Sequence, residues 1–402
     1  MEVSAEAPVE VQATRLLLSL RRTSDPYEVY DRLRGLGPVL LVPALNSVVL
    51  CGYDVCRHVL RSAEFRVPDA AWRDQHIPGW RRSTAMEAYG TSLLNTNPPE
   101  HQAGRERFAP HLTRSVIDRL TTTVRELADD CVRGFAATLA RYGVADAVPL
   151  LTVPLPARVL CALLGLPDRD AETVAGMMLR HQVVGELFPT QEGLAGADRV
   201  TGELATYFRR LREGTDPKAQ PVWTQLTEVE CLLLLQAGFS TTFALLSTAL
   251  CELLKDDGAL AADLTARPEL IPDTVEGWLR YRPPAAVVSR ITNRDAVLSG
   301  VSVPADTHLL VLIAAANRDP DGPGNLSFGL GAHYCLGAQL ARMEAVALIQ
   351  AILPHAVNWR LQSSSAVFVG HTMPQVRALD VTMKHPPSAG ASDHTVDGPT
   401  AD

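Results

Sequence analysis

The sequence predicts a mainly α-helical protein with a small β region, organised around one long central helix that is buried on all sides. Three observations predict this fold class. The 402 residues are 47% hydrophobic, which is enough for a large buried core. Apolar residues recur at helical spacing along most of the chain, and residues 231–254 are apolar around the whole helix. Alternating segments that suit strands are short and few.

Helical patterns follow one another along the chain. The first, from about residue 13 to residue 36, carries the start signal Ser-Asp-Pro-Tyr at residues 24–27. Residues 70–83 are rich in Trp and Arg without a clear period, which predicts a loop with short helices. The other predicted helices span about 54–62, 114–143, 157–166, 169–187, 197–213, 226–255, 268–281 and a last segment that ends near residue 353.

Short strand patterns complete the prediction, and the first two are joined by a turn at Asn46. The predicted strands cover about residues 39–43, 47–51, 296–303 and 307–314, and short strand-like segments follow the last helix, from about residue 353 to residue 381. Because no internal repeat or linker is found, we predict a single domain over residues 13–385. Residues 1–12 and the Pro/Ser/Gly/Asp-rich residues 386–402 are expected to be disordered.

Charge and composition argue against several classes of function. The net charge is −8 with both signs spread along the chain, which argues against nucleic acid as a partner. Residues 231–254 are long enough to cross a membrane, but they include six Ser, Thr and Gln residues and lack a flanking basic cluster, so we expect a core helix and no membrane partner. The seven scattered cysteines are typical of reduced core residues in a cytoplasmic protein.

One stretch, residues 326–342, concentrates the residues that could carry chemistry. It holds two aromatic residues, three glycines, a histidine and a single cysteine, and it runs directly into an Ala/Leu-rich helical pattern. The glycines allow tight turns and close approach of another group. Cys335 lies where the loop meets the helix, and the amides and dipole of a helix start stabilise a thiolate. A buried free cysteine in a Gly-rich turn is the simpler alternative.

The spacing in this stretch resembles the cysteine-ligand loop of the cytochrome P450 family. The pattern is Phe-Gly-x-Gly-x-His-x-Cys-x-Gly from Phe328 through His333 and Cys335 to Gly337, followed directly by Ala-Gln-Leu-Ala-Arg at residues 338–342. The resemblance covers about residues 25–382. It implies the P450 fold, with haem b between the central helix and the Cys-loop helix, and with Cys335 as the axial iron ligand.

The same resemblance implies donors for the haem propionates. His101 and Arg105 lie one turn apart at a helix start that follows two prolines, so their side chains share one face. Arg290 resembles the family's propionate-binding arginine, and His333 in the Cys loop would be a further donor. Such convergent donors suit a buried dianionic cofactor edge.

The central helix contains the segment Ala-Gly-Phe-Ser-Thr-Thr at residues 237–242. Hydroxyl groups in mid-helix can turn back onto carbonyls, and Gly238 would allow a flat ligand to lie close. In the family this segment crosses the distal haem face, where a threonine matching Thr241 hydrogen-bonds dioxygen. The family usually has an acid before that threonine, whereas this chain has Ser240, so Ser240, Thr241 and Thr242 are the candidate catalytic hydroxyls.

Two further departures concern a charge network of the family. The family's Glu-x-x-Arg pair is represented by Arg280, but the residue three before it is Gly277, and Glu276 is about 100° around the helix. Glu276 is within (i, i+4) reach of Arg280. The segment that usually holds the partner arginine is reduced to residues 321–327. Two members of one network are therefore missing together, which avoids a buried charge without compensation.

Two functions are consistent with this sequence. A haem-thiolate monooxygenase would take electrons from a ferredoxin and its reductase, docked near the Cys335 face, and would oxidise a mid-sized hydrophobic substrate in bacterial secondary metabolism. That substrate would bind below residues 72–80 and the helices of residues 169–213. The alternative is a catalytically relaxed homologue that activates a glycosyltransferase in an antibiotic pathway, which the three departures would suit.

Overall fold

The computed structural model describes residues 7–23, 25–216, 218–362 and 368–384. Within these ranges the chain is mostly helical with small sheets, as predicted. The α-helices of the described ranges are α1 (Val9–Ser19), α2 (Pro26–Leu36), α3 (Tyr53–Arg61), α4 (Ala70–His76), α5 (Thr84–Gly90), α6 (Glu100–Phe108), α7 (Arg114–Tyr142), α8 (Pro154–Leu164), α9 (Ala171–His181), α10 (Gln191–Glu213), α11 (Glu228–Leu254), α12 (Ala259–Ala266), α13 (Ile271–Tyr281), α14 (Ile313–Ala316) and α15 (Ala338–Ala356).

The strands form one five-stranded sheet and three smaller ones. The strands of the same ranges are β1 (Val39–Val42), β2 (Ser47–Leu50), β3 (Phe65–Arg66), β4 (Val144–Asp146), β5 (Val287–Thr292), β6 (Ala296–Leu298), β7 (Val301–Val303), β8 (His308–Leu312), β9 (Trp359–Leu361), β10 (Phe368–Val369), β11 (Gln375–Val376) and β12 (Asp380–Met383). The large sheet has the order β1-β2-β8-β5-β3, in which only β2 and β8 run parallel. The others are β4-β12-β9 and the pairs β6-β7 and β10-β11.

The central helix α11 is the core of the protein, as predicted. Thr227 caps its first turn and exchanges hydrogen bonds with Glu230 in a capping box, which fixes where the helix begins. The helix is long and apolar enough to cross a membrane, but 67% of its most apolar window is buried by protein. Helices α8 and α15 pack against it, and α7 packs against both α8 and α15, so α11 and the helix that follows the Cys loop share one core.

The N-terminal region differs from the sequence prediction. The single helix expected over residues 13–36 is two helices, and the second begins at Pro26, where the Asp25 side chain accepts a hydrogen bond from the Tyr27 amide. The expected start signal therefore begins a new helix, although Ser24 itself lies outside the described residues. Helix α1 begins at Val9, inside the segment 1–12 for which we expected disorder. Residues 1–6 and 385–402 are outside the described ranges.

Turn signals in the sequence mark several boundaries correctly. Asn46 has a left-handed φ of 45° between β1 and β2, and Gly143 ends α7 with a φ of 75°. Strand β5 and helix α12 lie in regions for which no element was predicted. Strand β5 carries Arg290 between β8 and β3, so it brings that side chain towards the Cys loop.

Candidate active site

The Cys loop folds back on itself before α15. The Cys335 amide donates to the Phe328 carbonyl at 2.9 Å, which closes the turn. Gly329 and Gly331 have φ values of 67° and 68°, a conformation that side chains with a Cβ rarely adopt. A Cβ on Gly331 would lie 2.9 Å from the Leu60 carbonyl oxygen, so this glycine also lets the loop lie against α3.

Cys335 is exposed, whereas the other six cysteines are buried. Its pKa is nevertheless raised, because protein surrounds the thiol on most sides. The Gly337 amide and the charges of Arg105 and Arg342 act in the opposite direction. The helix start therefore supports a thiolate, as predicted, but does not overcome burial, and binding of a metal would complete the deprotonation.

A cluster of basic and imidazole side chains faces the Cys loop. The rings of His101 on α6 and His333 in the loop lie 4.0 Å apart. The charges of Arg105 and Arg290 both lower the pKa values of these two histidines, so the four side chains predicted as propionate donors do come together. They come from α6, β5 and the Cys loop, which are far apart in sequence.

Arg290 is the least compensated member of this cluster. Its side chain is buried, and its hydrogen bond is to the carbonyl of the neighbouring Ser289 at 2.8 Å. Within the described part of the chain it forms no ion pair, and burial lowers its pKa to about 10. A buried cation without a carboxylate is costly, which indicates that an anionic group belongs beside it.

The charges of the two histidines and two arginines in this cluster suit a ligand with two negative charges. Burial and the neighbouring cations lower the pKa of His333 to about 3 and also lower that of His101. Both imidazoles are therefore neutral hydrogen-bond donors near pH 7, and the two arginines supply two positive charges. This donor set fits the two propionates of a haem. Among the described residues, no group of three His, Cys, Asp or Glu side chains is arranged to hold a metal ion.

Thr241 is the hydroxyl of α11 that faces accessible space. Its Oγ1 donates to the Ala237 carbonyl at 2.7 Å, which is the backward hydrogen bond expected for a mid-helix threonine. Ala237, Gly238 and Thr241 are partly exposed and mark one open face of the helix. The helix stays continuous through this segment, so the hydroxyl turns back without breaking it.

Ser240 and Thr242, which we also predicted as catalytic hydroxyls, are buried away from that face. They lie about 100° to either side of Thr241, because successive helical residues are rotated by that angle. The Ser240 hydroxyl accepts from Gln236 Nε2 at 2.8 Å, and Gln236 Oε1 contacts His181 Nδ1 at 3.0 Å. Ser240 is thus one end of a buried polar chain that ties α11 to α9.

Gly238 also allows close packing between two helices. A Cβ at this position would lie 2.7 Å from Leu160 Cδ2 on α8. The glycine therefore lets α8 approach α11 closely. Its predicted role beside a flat ligand stays a prediction, and Gly238 shares the partly exposed face with Ala237 and Thr241.

Glu276 pairs with Arg342 on α15, although the sequence placed it within reach of Arg280. Arg342 Nε donates to one carboxylate oxygen of Glu276, and Nη2 lies 3.2 Å from the other. The Arg342 guanidinium also lies 4.3 Å from the centre of the Phe328 ring. Sequence reasoning missed this contact because the pair is separated by 66 positions and leaves no local signal.

Arg280 finds its hydrogen-bond acceptors in neutral backbone groups in and near the shortened segment. Arg280 donates to the carbonyls of Asn317 at 2.9 Å and Gly322 at 2.6 Å. The Asn317 side chain in turn accepts from the Leu326 amide at 2.8 Å and donates to Ser327 Oγ at 2.9 Å. Backbone carbonyls and the side chain of Asn317 thus take the place of the charged residues that the family network usually has. These hydrogen bonds hold the segment that leads into the Cys loop.

Comparison with known proteins places this geometry in context. The cytochrome P450 monooxygenase PikC of Streptomyces venezuelae is 31% identical over 389 residues, which cover 89% of this chain and 90% of that protein. The biotin biosynthesis cytochrome P450 of Bacillus subtilis is 26% identical, with 82% of this chain and 88% of that protein covered. The ligand-free crystal structure of CYP164A2 from Mycobacterium smegmatis superposes with a TM-score of 0.76 at 28% identity, covering 92% of this chain and 100% of that one. No protein-family model matches the chain.

Proposed function

Because this chain belongs to the cytochrome P450 family, and is a P450-type monooxygenase, we propose that it oxidises a mid-sized hydrophobic substrate with haem b bound through Cys335. The observation that carries this proposal is that an accessible cysteine lies near a cluster of donors whose buried member, Arg290, has no ion-pair partner in the described residues. A haem needs both a sulfur ligand on its iron and cations at its propionate edge.

Each part of the cluster has a role towards the cofactor. Cys335 supplies the thiolate, and the Gly337 amide holds part of its charge. Arg105 and Arg290 neutralise the two propionates, while His101 and His333 donate hydrogen bonds to them. When bound, a thiolate-ligated haem supplies the activation of dioxygen.

Thr241 on α11 is the hydroxyl that would hold a proton near the reacting atoms. In this structure its Oγ1 donates to the Ala237 carbonyl, and a change of rotamer would free it to donate to water. Ser240, held by Gln236, keeps the helix in register beside it. The acid that usually precedes this threonine in the family is absent, so protons reach Thr241 through water.

The substrate side of the protein is apolar. Ala85, Val184 and Ala197 form a small separate core, and partly exposed apolar side chains of α5, residue 183 and α10 pack on it. These side chains are Met86, Tyr89, Val183 and Leu194. Leu233 and Leu234 are further partly exposed apolar side chains, on α11 and packed against the main core. Such a lining favours a hydrophobic small molecule over a charged one.

A basic pocket beside the Cys loop supports docking of an acidic electron donor. The pocket has a volume of about 240 Å³ and is lined by Arg57, His58, Arg61 and Ser62 of α3 and its end. It adjoins the loop, because Gly331 packs directly against the Arg61 backbone. Ferredoxins are acidic, so we propose that a ferredoxin reduced by its reductase binds here.

The setting we propose is bacterial secondary-metabolite biosynthesis in the cytoplasm. The biosynthetic role printed in the name of the Bacillus subtilis relative supports a biosynthetic setting. Seven unpaired cysteines are consistent with a reducing compartment. The glycosyltransferase-activator alternative rests on the sequence departures, but Arg280 and Glu276 have acquired new partners, which favours an enzyme that has kept its site.

The test is product formation in a defined system. The purified protein is supplied with haem, a bacterial ferredoxin and its reductase, NADPH and a panel of hydrophobic substrates, and the products are analysed by mass spectrometry. We expect a product that has gained one oxygen atom, and Cys335→Ser as a control should form none. A haem-containing protein that oxidises nothing but copurifies with a glycosyltransferase, and stimulates it, would establish the activator function instead.

A further inference from the structure

We propose that Glu276 and Arg342 are positioning residues whose charge pair sets the reduction potential of the haem held through Cys335. The inference rests on the proposed function, since it presupposes a thiolate-ligated haem. Glu276 and Arg342 belong to α13 and α15, so no single sequence motif contains both members of the pair.

The geometry of the pair is bidentate. Arg342 faces both carboxylate oxygens of Glu276 through Nε and Nη2, a fork that holds the guanidinium in one plane. The Arg342 Nη1 atom lies 3.4 Å from the Ala338 carbonyl oxygen in the first turn of α15. Asn325, just before the Cys loop, donates to Glu276 Oε2 at 3.4 Å. The pair is therefore fixed from both helices and from the loop.

Two contacts connect this pair with the sulfur ligand. The guanidinium lies on the Phe328 ring at 4.3 Å, a cation–π contact. The Phe328 carbonyl accepts the Cys335 amide at 2.9 Å. Movement of Arg342 would shift Phe328 and, through it, the backbone that carries the sulfur.

Charge gives the pair a second effect on the ligand. Arg342 and Arg105 are the two cations that favour negative charge at Cys335. Arg342 is compensated by Glu276, whereas Arg105 has no ion-pair partner in the described residues. Glu276 therefore decides how much of the Arg342 charge acts on the thiolate. The side chains are 34% and 40% exposed, so solvent screens this effect only in part.

The expected sign follows from electrostatics. Reduction of the haem adds one electron beside the sulfur, so an unpaired cation favours the reduced state and an unpaired carboxylate opposes it. Glu276→Gln leaves the Arg342 charge free and should make the potential more positive. Arg342→Gln leaves the Glu276 charge free and should make it more negative. The double variant should lie between them, near the wild-type value.

The experiment is a spectroelectrochemical titration of the haem-loaded wild type and variants with dithionite as the reductant. A chemical reductant avoids any effect of the substitutions on ferredoxin docking. We expect shifts of opposite sign in the two single variants, each severalfold in the equilibrium constant of the one-electron couple, where tenfold corresponds to 59 mV. Arg342→Lys keeps the charge and should stay near the wild type. The control variant is Glu203→Gln, which removes the ion pair between Glu203 on α10 and Arg180 on α9. It should leave the reduction potential unchanged.

The outcomes separate this inference from the proposed function. Shifts of the same sign in both single variants, together with loss of the thiolate-type spectrum, would mean that the pair is only a structural brace. Unchanged potentials in both variants, in a protein whose wild type shows a thiolate-ligated haem, would also overturn the inference while leaving the proposed function intact. A wild type that binds no haem would refute the proposed function itself.

Discussion

Arg280 Nη2 donates to the carbonyl of Gly322 at 2.6 Å, which joins helix α13 to the short segment before the Cys loop. The same guanidinium reaches the Asn317 carbonyl through Nε. One arginine that hydrogen-bonds two backbone carbonyls therefore takes the place of an ion-pair network. The arrangement keeps the loop that carries Cys335 in place with fewer residues.

The first prediction concerns this arginine. Arg280→Leu should lower the free energy of unfolding by roughly 1–3 kcal/mol, because it leaves two carbonyls without their donor. Arg280→Lys can satisfy one carbonyl and should fall between that variant and the wild type. Chemical denaturation measures the difference, and equal stabilities of all three proteins would show that water replaces the guanidinium without loss.

The second prediction concerns Arg290, whose replacement should raise the stability of the haem-free protein but weaken haem binding. Arg290→Met removes a buried charge without a partner, so the haem-free protein should be more stable by roughly 1–3 kcal/mol. The same change removes a propionate contact and should weaken haem binding about 10–100-fold. Denaturation and haem titration test the two effects. Arg294→Gln, at a side chain 69% exposed, is the matched control and should change neither.

The third prediction separates the hydroxyls of α11. Thr241 faces accessible space and Ser240 is buried, so Thr241→Ala should reduce product formed per NADPH consumed by at least about tenfold. Ser240→Ala should instead lower stability by about 1 kcal/mol, since Gln236 loses its acceptor. Thr241→Ser retains the hydroxyl and is the control. Uncoupling in the Ser240 variant and not in the Thr241 variant would reverse the assignment.

The fourth prediction concerns Gly277. A Cβ there meets no atom within 4 Å, so Gly277→Ala in the interior of α13 should raise the free energy of unfolding by roughly 0.5–1 kcal/mol. Gly165→Ala is the contrasting control, because Gly165 has a φ of 75° and its Cβ would lie 2.6 Å from Pro221. That change should destabilise the protein. Thermal unfolding of both variants distinguishes a free helical position from a required glycine.

The fifth prediction concerns pH and His308. Burial lowers the pKa of His308 to about 4, with smaller effects from the charges of Arg73 and His76. Its ring contacts Ser47 Oγ at 2.9 Å and Ser289 Oγ at 3.0 Å, where the neutral form fits. The unfolded chain binds a proton below about pH 6.5, whereas the folded chain does so only near pH 4.

The stability that neutral His308 contributes is therefore present above pH 6.5 and is lost as the pH falls towards 4, by at most about 3 kcal/mol. His308→Gln keeps two polar contacts and removes the titration. Its free energy of unfolding should depend less steeply on pH than that of the wild type between pH 6.5 and 4. Parallel pH profiles would contradict this account of His308.

Local signals in the sequence predicted the parts of the fold that depend on neighbouring residues. The turn at Asn46, the end of α7 at Gly143 and the loop around Cys335 each follow from residues within a few positions. The four donors of the anion cluster were predicted through the family resemblance, because they lie on three separate elements. Strand β5 was missed, since its short apolar run does not differ from a helical segment of the same length.

Other features depend on contacts between distant residues and had no local signal. The pairing of Glu276 with Arg342 spans 66 positions, and the backbone partners of Arg280 exist only once the short segment is folded. The packing of Gly238 against Leu160 likewise needs the α8–α11 contact. In each case the residue type was noticed in the sequence, but its partner was set by the three-dimensional arrangement.

The absorption spectrum of the reduced protein under carbon monoxide tests the central claim most directly, because it reports the ligand on the iron. We expect the red-shifted Soret band of a thiolate-ligated haem in the wild type and its absence in Cys335→Ser. A colourless wild type, or the band of a haem without a sulfur ligand, would contradict the assignment of Cys335.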